Sequence, residues 1–127
     1  MFTVQDDPLF FRVELDGLVD RKALFDAQDA LMHHPEYPHK NALWIVKEDF
    51  LCGFSEVDLI VALERIKTLW HREATKKKSA FFAPDGFHYA LAKLFCEEVE
   101  RRDLPFKIKP FMNLQEAEAW LMKDGAE

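Results

Sequence analysis

Apolar and polar positions change period repeatedly along this chain, and each change predicts an element. Phe2 to Gln5 reads as a short strand, and Asp6, Asp7 and Pro8 as the turn after it. Leu9 to Leu15 alternates, with Phe11, Val13 and Leu15 on one side, and Asp16-Gly17 ends it. From Asp20, a candidate N-cap, the period lengthens: Leu24, Ala27 and Leu31 make one stripe of a helix to about Met32. Pro35 and Pro38 mark His33 to Asn41 as a loop. Ala42 to Val46, ALWIV, is an unbroken apolar run, as expected of a strand covered on both faces. Ser55, with Asp58 three residues on, opens a second helix whose stripe is Leu59, Leu63, Ile66 and Trp70, running to about Thr75. Ser79 to Ala83, SAFFA, repeats the buried-strand pattern. Pro84-Asp85-Gly86 then turns into a third helix, capped by Asp85, with Phe87, Leu91, Leu94, Phe95 and Val99 as its expected buried face. Phe106, Ile108 and Pro110 alternate with Lys107, Lys109 and Phe111 in a last strand. Asn113, with Glu116 at the box position, caps a closing helix whose stripe is Leu114, Ala117, Trp120 and Leu121.

The order is ββαβαβαβα. Strands that alternate with helices pair in parallel through right-handed crossovers, and the opening hairpin adds an antiparallel strand at or near an edge. The expectation is a single α/β domain over residues 1–127, with a mixed, mostly parallel sheet flanked by four helices.

Composition adds limits. At 127 residues with 49% hydrophobic positions, the chain can build a core without a disulfide or a metal. The 12 phenylalanines leave two readings open, a Phe-rich core or an apolar pocket or interface. A net charge of −6 argues against nucleic acid as a partner. The one basic run, Lys76, Lys77 and Lys78, is expected to end the second helix and stay solvated. Cys52 and Cys96 suggest no disulfide framework, no leader-like N-terminus is evident, and no apolar stretch reaches transmembrane length. The simplest expected location is the cytoplasm. The wide apolar face of the second helix, with Ile60 and Val61 beside the main stripe, suits a homodimer contact.

Catalytic and cofactor signatures are weak. His33, His34 and His39 have no familiar metal-ligand spacing and read as loop histidines, so no metal is expected. Cys52 follows the central strand and His88 could lie near it, but no third orienting group is evident. Gly-rich phosphate loops and a G-x-S-x-G elbow are missing, so no cofactor is assigned and the chain is expected not to be an enzyme.

The run ALWIV followed by a loop and a helix from Ser55, the segment SAFFAPDGFHYALAKLF, and the closing stretch Phe111 to Leu121 together resemble the STAS domain. The closer likeness is to small bacterial SpoIIAA-like proteins grouped as STAS with CRAL-TRIO-type lipid-transfer domains. The resemblance implies a SpoIIAA-like fold and one of two roles. The first is a regulatory module that binds a protein partner. In the anti-sigma-factor antagonists of this family, an Asp-Ser-Ser/Thr-Gly-type motif carries a phosphorylated serine. Here the stretch is Gly53-Phe54-Ser55-Glu56-Val57, in which only Ser55 is kept. Ser55 therefore has two readings, helix N-cap or phosphosite, and its altered neighbours favour the cap. The second role is a carrier or sensor of a small apolar ligand. In open α/β sheets, ligands bind beyond the carboxyl ends of the strands. That edge is expected to gather Phe50, Leu51, Cys52, Phe54, Ser55, Asp85, Phe87, His88 and Met112, as a ligand site or as a seal on the sheet edge or a dimer contact.

Overall fold

The computed structural model describes residues 2–69, 77–102, 104 and 106–123. Its strands are β1 (Phe2–Asp6), β2 (Phe10–Leu15), β3 (Leu18–Asp20), β4 (Asn41–Val46), β5 (Leu51–Gly53), β6 (Lys78–Phe82) and β7 (Lys107–Phe111). The helices are α1 (Arg21–Met32), α2 (Glu56–Leu69), α3 (Gly86–Arg101) and α4 (Leu114–Met122), with a 3-10 turn at Tyr37–His39. The expected stretch of the second helix from Trp70 to Thr75, and Lys76, lie outside the described residues.

Five strands form one sheet in the order β1-β2-β4-β6-β7. β1 pairs antiparallel at one edge, and every other pairing is parallel. From β2 onward the strands advance in one direction, and right-handed crossovers then leave every connecting helix on one face. α1, α2 and α3 occupy that face, and α4 packs on the other, across β4, β6 and β7. The period of two sorts side chains accordingly: Phe11, Val13 and Leu15 turn to the three-helix face, while Phe10, Leu43, Ile45 and Ala80 meet Trp120 and Leu121 of α4. Arg12 holds α4 to the sheet, pairing with Glu118 and Asp7.

Three expectations are corrected. Lys77 and Lys78 are not solvated: each is only 4% exposed. Lys77 Nζ donates to the carbonyls of Tyr37 and Lys40 and sits 3.8 Å from the centre of the Tyr37 ring. Lys78 Nζ donates to the carbonyls of Trp120 and Lys123, 2.8 Å each, at the end of α4. Neighbours at a strand's start point to opposite faces, so the two ammonium groups satisfy carbonyls on opposite sides of the sheet.

The buried face of α3 is also different. Phe87 is 71% exposed and Leu94 60% exposed; Val99 is buried as expected, and Ala92 and Cys96 are buried on the same helix. α3 packs closely on β7, where Val99 and Phe95 share a cluster with Leu104 and Ile108. The third correction is a parallel two-stranded ribbon, β3 with β5, in a region read as loop. It buries Val19 completely. Gly17, at φ +61°, makes the turn into it, and its carbonyl accepts from Leu51 N at 2.8 Å.

Candidate functional site

α2 leans on α1, and its Ala62 and Leu63 are buried in the core clusters above the sheet. Gln28 and Arg65 make that lean specific. Gln28 Nε2 donates to Ala62 O at 2.9 Å, Arg65 donates to Gln28 Oε1 at 3.0 Å, and Arg65 pairs with Asp29. Between α2, α3 and the sheet lies a cavity of about 540 Å³. Trp44 of β4 and Phe81 of β6 line it, side by side in register and stacked at 5.6 Å and 11°. Phe95 of α3 continues that surface, 4.9 Å from the Phe81 ring. Leu91 and Leu94 of α3 also line it, which accounts for the second apolar stripe of that helix.

At the carboxyl ends of β4 and β6 the expected residues come together. Phe50, Cys52, Phe54, Ser55 and His88 all line the cavity there. Ser55 is the N-cap of α2: its Oγ accepts from Asp58 N at 3.1 Å, and Asp58 Oδ2 accepts from Ser55 N at 3.0 Å. Asp85 caps α3 through His88 N at 2.9 Å. That backbone bond, reinforced by the His88 ring, lowers the Asp85 carboxyl below the usual carboxylate range. The His88 ring bridges two elements, with Nδ1 2.7 Å from Asp85 Oδ2 and Nε2 3.0 Å from the Phe50 carbonyl. Phe50 meets it edge-on at 5.7 Å.

Asp85 thus stands behind His88 rather than on the cavity wall, and Phe87 projects outward beside it. Leu51 and Met112 are exposed and contribute nothing to the wall. The Cys52 thiol is exposed and donates to Phe54 O at 3.5 Å. His33 and His34 are engaged locally, with Asp29 O and Glu36 N. No group of three or more His, Cys, Asp or Glu side chains gathers in metal-binding reach among the described residues. No helix among them is long and apolar enough to cross a membrane.

The inner wall escaped the sequence reading. Trp44, Phe81 and Ser79 sit in runs that read as core, and only the packing of the helices above them leaves them on a cavity wall. A second depression, of about 720 Å³, runs past Lys93, Lys107 and Lys109 along the edge strand β7. Its charged lining makes it the less suitable place for an apolar ligand.

No family model matches the chain, and no curated protein does. Among solved structures it is similar to an uncharacterized protein of the DUF3478 family with a SpoIIAA-like fold, from Shewanella loihica PV-4. The identity is 12%, the TM-score 0.55, and the match covers 95% of this chain and 92% of that one. The likeness and the α/β layout with four helices and a mixed sheet agree: this chain has a SpoIIAA-like fold.

Proposed function

We propose that this protein is a non-enzymatic carrier or sensor that binds a small apolar molecule between α2, α3 and the sheet. The observation that carries the reading is the cavity itself. Its volume of about 540 Å³ falls within the ordinary range for small-ligand pockets. Close-packed interiors leave few voids larger than a water molecule. Stacked Trp44 and Phe81, with Phe95, offer flat apolar surface to such a molecule. Chemistry on a substrate is less well supported: both ring nitrogens of His88 face Asp85 and Phe50, and neither serves the Cys52 thiol as a base.

A second reading, capture of a protein partner, is favoured by exposed apolar side chains near the cavity mouth: Leu51, Val57 and Phe87, all more than 60% exposed. One substitution separates the two. Ala92 lines the cavity from α3, and Ala92→Leu narrows it without touching the outer surface. The wild type should take up Nile red, an uncharged apolar dye, with enhanced emission. Ala92→Leu should weaken that uptake about tenfold while keeping or raising the melting temperature, since added side-chain volume in a void improves packing. Undiminished uptake by a folded Ala92→Leu protein would sink the cavity reading. Native mass spectrometry of protein from its own host would then reveal whether a ligand travels with it.

A further inference from the structure

We infer that the cavity selects an uncharged apolar molecule bearing a single hydrogen-bonding group, such as a long-chain alcohol, and discriminates against anionic amphiphiles such as fatty acids. The inference rests on the cavity being the binding site and concerns the charge that site accepts.

Among the described residues, three carboxylates line the cavity: Glu56 at the start of α2, and Glu97 and Glu98 on α3. Glu98 is taken by Arg101 and Arg102. Glu56 and Glu97 are exposed where they line the cavity and have no ion-pair partner among the described residues. The cationic candidates on the wall are already engaged. Arg101 pairs with Glu98, and the His88 ring lies between Asp85 and the Phe50 carbonyl. The starts of α2 and α3 both face this end of the sheet, and helix N-termini ordinarily attract anions. Here each is capped from its own chain by a carboxylate, Asp58 on α2 and Asp85 on α3. An incoming carboxylate would therefore meet like charge, with no free cation on the wall among the described residues to pair with.

The polar group that remains available is neutral. Ser79 of β6 lines the cavity, and its hydroxyl makes no hydrogen bond among the described residues. A hydroxyl both donates and accepts, so it suits an alcohol, a ketone or an amide.

The test compares two probes of equal chain length, decanol and decanoate, for displacing Nile red from the full chain at low salt. At about pH 8, where a carboxylate is ionised, decanol should displace the dye at a concentration about tenfold below that of decanoate. The double variant Glu56→Gln/Glu97→Gln should improve decanoate about threefold relative to decanol. Ser79→Ala should weaken decanol about threefold relative to the variant's own affinity for the dye. Decanoate matching or exceeding decanol overturns the charge selection, and unchanged decanol with Ser79→Ala overturns the role of the hydroxyl. A protein that takes up no dye at all fails at the earlier step, as a binder of apolar molecules, and the two failures are told apart by that first measurement.

Discussion

Lys77 shows what a single side chain does to the pH response. Burial pulls its ammonium down to about 7, and it is met by two carbonyls and a ring rather than by a carboxylate among the described residues. In the unfolded chain a lysine holds its proton to about pH 10.4, so between these values the unfolded state binds more protons and stability rises with pH. Cys96 works in the opposite direction. Burial, with the charges of Glu100 and Glu97, pushes its thiol up to about 12. The folded state then keeps a proton that the unfolded thiol loses from about pH 8.5, and its contribution to stability falls above that point. Tyr37, raised by burial, adds to the fall at higher pH. Urea unfolding should therefore show stability climbing from about pH 7 to 8.5, at up to about 1.4 kcal/mol per pH unit, levelling off while the two groups offset each other, and falling only above about pH 10.4. Lys77→Met should flatten the rising limb, and a rising limb that survives the substitution would assign it to another group. None of this was legible in the sequence. Three successive lysines look solvated, and only the strand start at Lys78 reveals that two of them end beneath helices and turns.

At the level of elements, local chemistry was readable and small tertiary pairings were not. Asp20, Ser55, Asp85 and Asn113 are all helix N-caps as the sequence suggested, each accepting from a backbone N–H three residues on. ALWIV and SAFFA form the adjacent inner strands β4 and β6. The ribbon of β3 and β5 went unseen because three-residue strands carry too few positions for any period to register. Yet that ribbon carries Cys52 and leads directly into Phe54 and Ser55 at the cavity mouth. Gly53 is its tightest point: a Cβ there would lie 2.7 Å from Leu18 Cδ1 and 3.2 Å from Val19 O. Leu18 is exposed and can swing aside, but the backbone carbonyl cannot. Gly53→Ala should cost about 1 kcal/mol in urea unfolding and loosen the β3–β5 pairing. A neutral result would mean that the ribbon has slack to absorb a methyl group. The apolar pattern of α3 was misassigned for a related reason. Its two stripes are both apolar, and only the tertiary packing decides that Ala92, Cys96 and Val99 are buried while Leu94 stays open.

At the scale of the whole molecule, the layout follows from strand order. A sheet that grows in one direction from β2 to β7 crowds three helices onto one face and leaves the other to α4. The sequence carried that layout because it depends on element order, which the apolar periods record. The cavity depends instead on how the helices settle over the floor at Trp44 and Phe81, and no apolar period in the chain encodes that fit. The same two-faced layout gives the adjacent lysines a use as reporters. Lys77 is tied to the Tyr37 turn on the three-helix side, and Lys78 to the end of α4 on the other. Acylation by an amine-reactive ester should leave both unmodified in the intact molecule, despite the ready deprotonation of Lys77. Partial denaturation should then label them at separate rates, Lys78 when α4 lifts and Lys77 when the opposite layer opens, with peptide mass spectrometry distinguishing the two sites. Identical rates at every denaturant concentration would mean that the two faces come apart as one cooperative unit, so a pair of neighbouring amines times the dismantling of each layer independently.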